Sequence, residues 1–248
     1  ATLLLWPESA VLGRNDLRPD PRHREEARRR QLAWLFGTEG GEPGSRHLSY
    51  NLVRGEAPES PSFVQAKTEP MPFGERMPGP AWLRAWLDAK LGFASAMPGR
   101  LSADSVFVAA TPQGPLRIHP LICSEALMAD RVQEGVALTA PDLLTNHTND
   151  GWFDASVATD LHAVQIRLRA VEAGVPLLRS TLTGKSGVFR EDGRWALWGA
   201  PMTEAEHAFT LKWRPVRTPA RGAWVRHGVF ALLGVASLLL VRKGGGRP

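Results

Sequence analysis

The stretch "PLRIHPLICSEALMADR", residues 115–131, decides the fold. Its first half is apolar over a strand's length, and its second half, "EALMADR", has the composition of a helix. A buried strand running straight into a helix is the repeating step of an α/β protein. The junction holds Cys123, the chain's single cysteine. A thiol there meets the backbone N–H groups and positive dipole end of a helix start, and both favour thiolate. The same N–H groups can stabilise an oxyanion. A lone cysteine is also often a small buried apolar residue. Position alone therefore leaves two readings, filler and nucleophile.

Working outward, "SVFVAATPQGPLRIHPLIC" reads as two strands joined by a turn at Pro112-Gln113-Gly114-Pro115. "APDLLTNHTNDGWF" is a strand entering a polar loop, and "DLHAVQIRLRAVEAG" an amphipathic helix. That helix places Ala163, Ile166, Ala170 and Val171 on one face, with Gly174 as C-cap. "VPLLRSTLTGKSGVFREDGRWALWG" gives strands with turns at Gly184 and Asp192-Gly193. Upstream, "TLLLWPES" is a short buried strand ending at Pro7, and "HLSYNLVRG" is another strand. The Pro- and Gly-rich run "EAPESPSFVQAKTEPMPFGERMPGP" is expected to be a long irregular loop, the kind that carries function. "AWLRAWLDAKLG" follows as a helix.

Length and composition set the class. A chain of 248 residues with 43% hydrophobic and 22% charged residues can bury a core without disulfide or metal staples. The net charge of +5 comes largely from "RPDPRHREEARRR" and the tail "RKGGGRP". The first is interleaved with acids, which fits a solvated segment and not a nucleic-acid patch. No Walker loop, Rossmann fingerprint or zinc-finger spacing is present. The segment 228–241, "GVFALLGVASLLLV", is apolar apart from Ser237. Counted from Trp224 and flanked by Arg242 and Lys243, it reads as a terminal membrane helix with its basic end cytoplasmic. A buried core helix is the alternative.

A cysteine nucleophile needs a base and a charge partner. His119 lies four residues before Cys123 on the same strand and would share its face. His147 and His162 flank a loop with Asp150, Asp154 and Asp160, but the spacing fits no standard metal site. Asn146-His147-Thr148 matches the glycosylation sequon. Glu8 closes the buried strand "LLLWPE", and strand C-termini are where α/β folds build sites. Lys67 sits in the Pro-rich loop before "PMPFGE".

Together, Glu8 in "WPES", Lys67 in "KTEPMPFGE" and Cys123 in "ICSE" resemble the nitrilase superfamily of carbon–nitrogen hydrolases, whose members use a Glu–Lys–Cys triad in this order. The resemblance is nearest to the apolipoprotein N-acyltransferase branch. It extends over "DLLTNHTNDGWF" and "LHAVQIRLRAVEAGVPLLRSTLTGKSGVF", running from about Leu4 to Arg194. It implies a four-layer αββα sandwich with Glu8 as base, Lys67 as electrostatic partner and Cys123 as nucleophile. Glu75 and Glu125 match further functional acids of the branch. The implied substrates are a membrane phospholipid as acyl donor and a diacylglyceryl-cysteine apolipoprotein as acceptor, at the outer face of the bacterial inner membrane. No metal or organic cofactor is expected.

There are two departures. Ser124 stands where the branch carries Tyr, and the family's first strand and helix, with the branch's membrane domain, have no counterpart here. The expected organisation is a catalytic domain over 1–222 and a membrane helix with basic tail over 223–248, as the C-terminal part of a longer protein. The sequence also admits an amidase using the same triad with water, and a non-catalytic module of the same fold. The loop with Met71, Phe73, Met77, Trp82 and Trp86 is either lipid-facing or core.

Overall fold

In the computed structural model, the described residues are 2–11, 20–41, 49–91, 95–153, 156–199, 203 and 206–212. Two sheets form the body. The first has order β1 (Thr2–Leu5), β2 (Leu32–Gly41), β3 (Ser49–Glu56), β4 (Phe63–Ala66). The second has order β10 (Trp195–Trp198), β9 (Ser186–Phe189), β8 (Leu177–Thr181), β7 (Leu143–Thr148), β6 (Gly114–Ile122), β5 (Phe107–Thr111). In it, β6, β7 and β8 run parallel and the outer strands antiparallel.

The core lies between the sheets. Leu35 and Val53 from the first meet Phe107, Ile118, Ile122, Leu143 and Val188 from the second. Parallel strands buried on both faces need helices outside. Helices α3 (Ala129–Thr139) and α4 (Val157–Ala173) supply them, with Val132, Val136, Ala163, Ile166 and Ala170 packing on Leu121, Leu144 and Leu177. On the far side, α1 (Pro21–Arg30) lies over the first sheet, where Ala27 is fully buried and His23 meets Trp34 and Phe36 edge-on. The layers are therefore αββα. Asp20 caps α1, and Ser156 and Gly174 cap α4 at its two ends.

Several expectations need correction. Val171 is 45% exposed, because the helix turns it away from the face that holds Ala163, Ile166 and Ala170. The long Pro-rich run is not wholly irregular. It contains β4, whose alternation of buried Phe63 and Gln65 with exposed Val64 pairs it against β3. The helix after Cys123 is broken: a 3-10 turn covers Cys123–Leu127, and α3 starts at Ala129. The apolar segment 228–241 lies outside the described residues. Among those described, no helix is long and apolar enough to cross a membrane.

One glycine sets how the first sheet meets the site. A Cβ at Gly37 would lie 2.5 Å from the Pro7 carbonyl oxygen and 2.9 Å from the Ser9 nitrogen, against backbone that cannot swing away. Gly37→Ala is expected to push the Pro7–Ser9 turn off β2 and to cost about 1–3 kcal/mol. Thermal unfolding checks this; the midpoint should fall.

Candidate active site

The side chains gather at the C-terminal ends of the parallel strands, where open α/β sheets place their sites. Cys123 follows β6, and Asn149 follows Thr148, the last residue of β7. Glu8 follows β1 in a turn held from both sheets. Gly37 donates to the Pro7 carbonyl at 2.9 Å, and Asn149 N–H donates to Glu8 Oε2 at 2.7 Å. Behind it, His147 Nδ1 meets the Trp6 carbonyl at 2.7 Å, and its Nε2 lies 3.1 Å from the Thr145 hydroxyl. Burial lowers the His147 pKa to about 4, so this ring is neutral and serves as a strut between the sheets.

Glu8 is 5% exposed and also accepts from the Asn51 amide. Burial pushes its carboxyl above the ordinary value, against the pull of Lys67 and of Asn51. Lys67 is 1% exposed, and its Nζ lies 2.9 Å from Glu75 Oε1 and 2.7 Å from Oε2. Burial opposes the Lys67 charge, but the fields of Cys123, Glu8 and Glu75 hold its pKa above the ordinary value. Asn51 bridges the two acids, donating to Glu75 Oε1 at 3.2 Å. Glu75 is fixed by its own loop, since Met71 N–H donates to its Oε2 at 2.6 Å.

Cys123 is 6% exposed and has φ 49°, a left-handed conformation that a non-glycine residue adopts at a cost of order 1–3 kcal/mol. The turn takes Cys123 off the strand and out of His119's face. His119 instead packs toward α3, with Nδ1 2.7 Å from the Ser105 carbonyl. Glu125 fastens the turn. Its Oε2 accepts from Ile122 N–H at 2.8 Å, and its Oε1 accepts from Thr68 N–H at 2.6 Å and the Thr68 hydroxyl at 2.7 Å. One carboxylate thus ties the cysteine turn to the segment that carries Lys67. Burial raises the Glu125 pKa despite these donors. The Ser124 hydroxyl is buried and finds no partner among the described residues.

A helix start favours thiolate, but other influences on this thiol are stronger. Burial first, then the Glu8 charge, push Cys123 up to about 11, while Lys67 and a Thr148 hydrogen bond pull the other way. Burial wins because the sulfur has lost its water. Such a thiol reacts only if a base takes its proton during attack, and Glu8, ahead of Glu75, is the acid whose charge acts on it most strongly.

The other sequence candidates are engaged elsewhere. His162 Nδ1 lies 3.0 Å from Asp150 Oδ1. Lys185 Nζ lies 2.7 Å from Asp160. Asp154 lies outside the described residues, and Asn146 is fully buried, which closes it to glycosylation. Among the described residues no cluster of three or more acidic, His or Cys side chains forms a metal site. Asn51 and Arg179 were not singled out by sequence, and Asn146 only as a sequon. They are ordinary polar residues until strand pairing places them behind the triad.

This arrangement defines a class. The carbon–nitrogen hydrolase family matches residues 36–205, and the chain belongs to that family. Its similarity to curated proteins falls on those called apolipoprotein N-acyltransferase. One from Rhizobium meliloti (strain 1021) is 42% identical over 122 residues, covering 49% of this chain and 22% of that protein. Another, from Rhodopseudomonas palustris, is 33% identical over 209 residues, covering 78% and 36%. The chain thus spans well under half the length of these relatives. Among solved structures, an amidase from Nesterenkonia sp. shares the fold with a TM-score of 0.55 at 19% identity, over 81% of this chain and 74% of that one.

Proposed function

We propose that the chain is the catalytic part of an apolipoprotein N-acyltransferase that works through a thioester on Cys123. The observation that carries this is the buried group of Glu8, Lys67 and Cys123 beside an exposed apolar surface. Glu8 takes the Cys123 proton as the sulfur attacks an ester carbonyl carbon of a phospholipid. The new C–S bond moves the carbonyl electron pair onto oxygen, where Lys67 and the Ser124 N–H stabilise it. Collapse expels the lysophospholipid oxygen, which takes the proton from Glu8. The α-amine of a diacylglyceryl-cysteine then attacks the thioester, gives a proton to Glu8, and leaves as the amide while the thiol is restored. Glu75 holds Lys67, and Glu125 holds the cysteine turn. No cofactor enters these steps.

The lipid reading of the loop draws support from exposure. Helix α2 (Ala81–Leu91) contains no buried residue. Trp82 is 72% exposed, Trp86 55% and, ahead of the helix, Phe73 71%, so these rings are not core. Met71 and Met77 are half-buried. Rings this exposed are a cost in water and a gain at an acyl boundary. Replacing Trp82 and Trp86 together by Glu is expected to cut donor use from vesicles at least about tenfold, since each buried ring contributes about 2 kcal/mol. Hydrolysis of a small water-soluble ester should be unchanged.

The reaction test is acceptor choice. A phospholipid and a diacylglyceryl-cysteine peptide are offered together. N-acylated peptide with lysophospholipid is the expected product, and free fatty acid alone would point to water as acceptor, as in an amidase.

A further inference from the structure

Behind Cys123 runs a buried chain of polar groups that the triad does not use. The Asn146 amide nitrogen donates to the Cys123 carbonyl at 3.1 Å and to the Leu121 carbonyl at 3.4 Å. Its amide oxygen accepts from Arg179 at 2.8 Å. Arg179 pairs with Asp150, and Asp150 meets His162 at 3.0 Å. Asn146 and Asp150 are fully buried, Arg179 is 2% exposed and His162 5%. Gly184 leaves room for this chain, because a Cβ there would collide with the Asp150 carboxylate.

The Arg179 cation settles which way the Asn146 amide points. Its oxygen must face the guanidinium, so its NH₂ faces the two carbonyls. That contact fixes the peptide plane between Cys123 and Ser124. A trans peptide is planar, with C=O and N–H pointing in opposite directions. Anchoring the Cys123 oxygen on the Asn146 side therefore turns the Ser124 N–H to the opposite side. The left-handed Cys123 backbone needs such an anchor, because strained φ values persist only where surrounding contacts impose them.

We infer that Asn146, held by Arg179, Asp150 and His162, is a positioning residue that aims the Ser124 N–H at the oxyanion formed on the acyl carbonyl. The inference rests on Cys123 forming an acyl-enzyme, but it does not depend on which acceptor follows. Asn146 acts through the backbone and touches no substrate.

Two reactions of the same thiol separate this role from a general structural one. Acylation by p-nitrophenyl butyrate passes through an oxyanion. Alkylation by iodoacetamide does not, though both need the ionised sulfur. Their rate ratio therefore cancels any change in thiol ionisation. Asn146→Asp keeps size and the Arg179 contact but replaces the donor facing the Cys123 carbonyl with an acceptor. In the full chain, its acylation-to-alkylation ratio should fall about 100-fold, the loss typical of one oxyanion donor. Arg179→Lys keeps the charge but loses the fork to Asn146. It should show the same split to a smaller degree, and it carries the test if Asn146→Asp does not fold. A ratio unchanged in the folded variant, or both rates falling in parallel, would overturn the inference. A wild-type protein that alkylates but never acylates would instead remove the acyl-enzyme reading, and the inference with it.

Discussion

Cys123→Ala is expected to abolish acyl transfer, a loss of at least about 10⁴-fold, with the fold retained. The expectation follows from two facts. Cys123 is the chain's only thiol, so no neighbour can substitute for it. Its side chain is small and buried among apolar residues, so truncation leaves a cavity costing only about 1 kcal/mol. The variant should also behave differently in alkali. The folded thiol ionises near 11 against an ordinary value of 9. The folded state therefore holds its proton after the unfolded chain has lost it. This contribution to stability is complete below pH 9 and is lost as pH rises through 11. Denaturant unfolding of the wild type should weaken over that window, whereas Cys123→Ala should lack this part of the loss. Equal alkaline behaviour of the two would mean that the thiol is not held neutral.

Glu8→Gln is expected to give the second largest effect. The amide matches the carboxylate in size and its oxygen can still accept from the Asn149 N–H, but its NH₂ then faces the Asn51 amide and it cannot take a proton. With the thiol held neutral, acylation at neutral pH should fall about 10³-fold, in the range for loss of a positioned base. The pH dependence gives the sign. Glu8 is the second largest influence raising the thiol, so its removal should lower the Cys123 pKa below 11. The residual rate of the variant should then climb about tenfold per pH unit until that lowered value, as solvent ionises the sulfur. Single-turnover acylation from neutral to alkaline pH checks both parts. A flat profile with little loss would mean that Glu8 is not the base.

The legible part of this site was the part written in local motifs. Strand–Cys–turn and "WPES" each place a candidate residue at a strand end, and their order with Lys67 resembles that of the carbon–nitrogen hydrolase family. The periodicity of α4 was also readable, apart from Val171, because one residue at the edge of a helical face falls either way. Other features depended on contacts distant in sequence. Asn51 reaches Glu8 across 43 positions, and Asn149 reaches it across 141. Arg179 meets Asn146 only because β8 lies beside β7 in register. A single asparagine or arginine carries no such information before the sheet is built. The state of the thiol was hidden for a related reason. A helix start favours thiolate, but burial between the sheets and the charge of Glu8 outweigh it. The exposure of Trp82 and Trp86 was equally hidden, since helical spacing of apolar residues describes a core face and a lipid face alike.

The central claim is that Cys123 carries the acyl group. Intact-mass and peptide mass spectrometry after incubation with phospholipid, without acceptor, tests it most directly. The account predicts a gain of one acyl chain on the peptide containing Cys123, released by hydroxylamine and absent in Cys123→Ala. An unmodified protein that nevertheless transfers acyl chains, or an adduct on the neighbouring Ser124 hydroxyl, would contradict it.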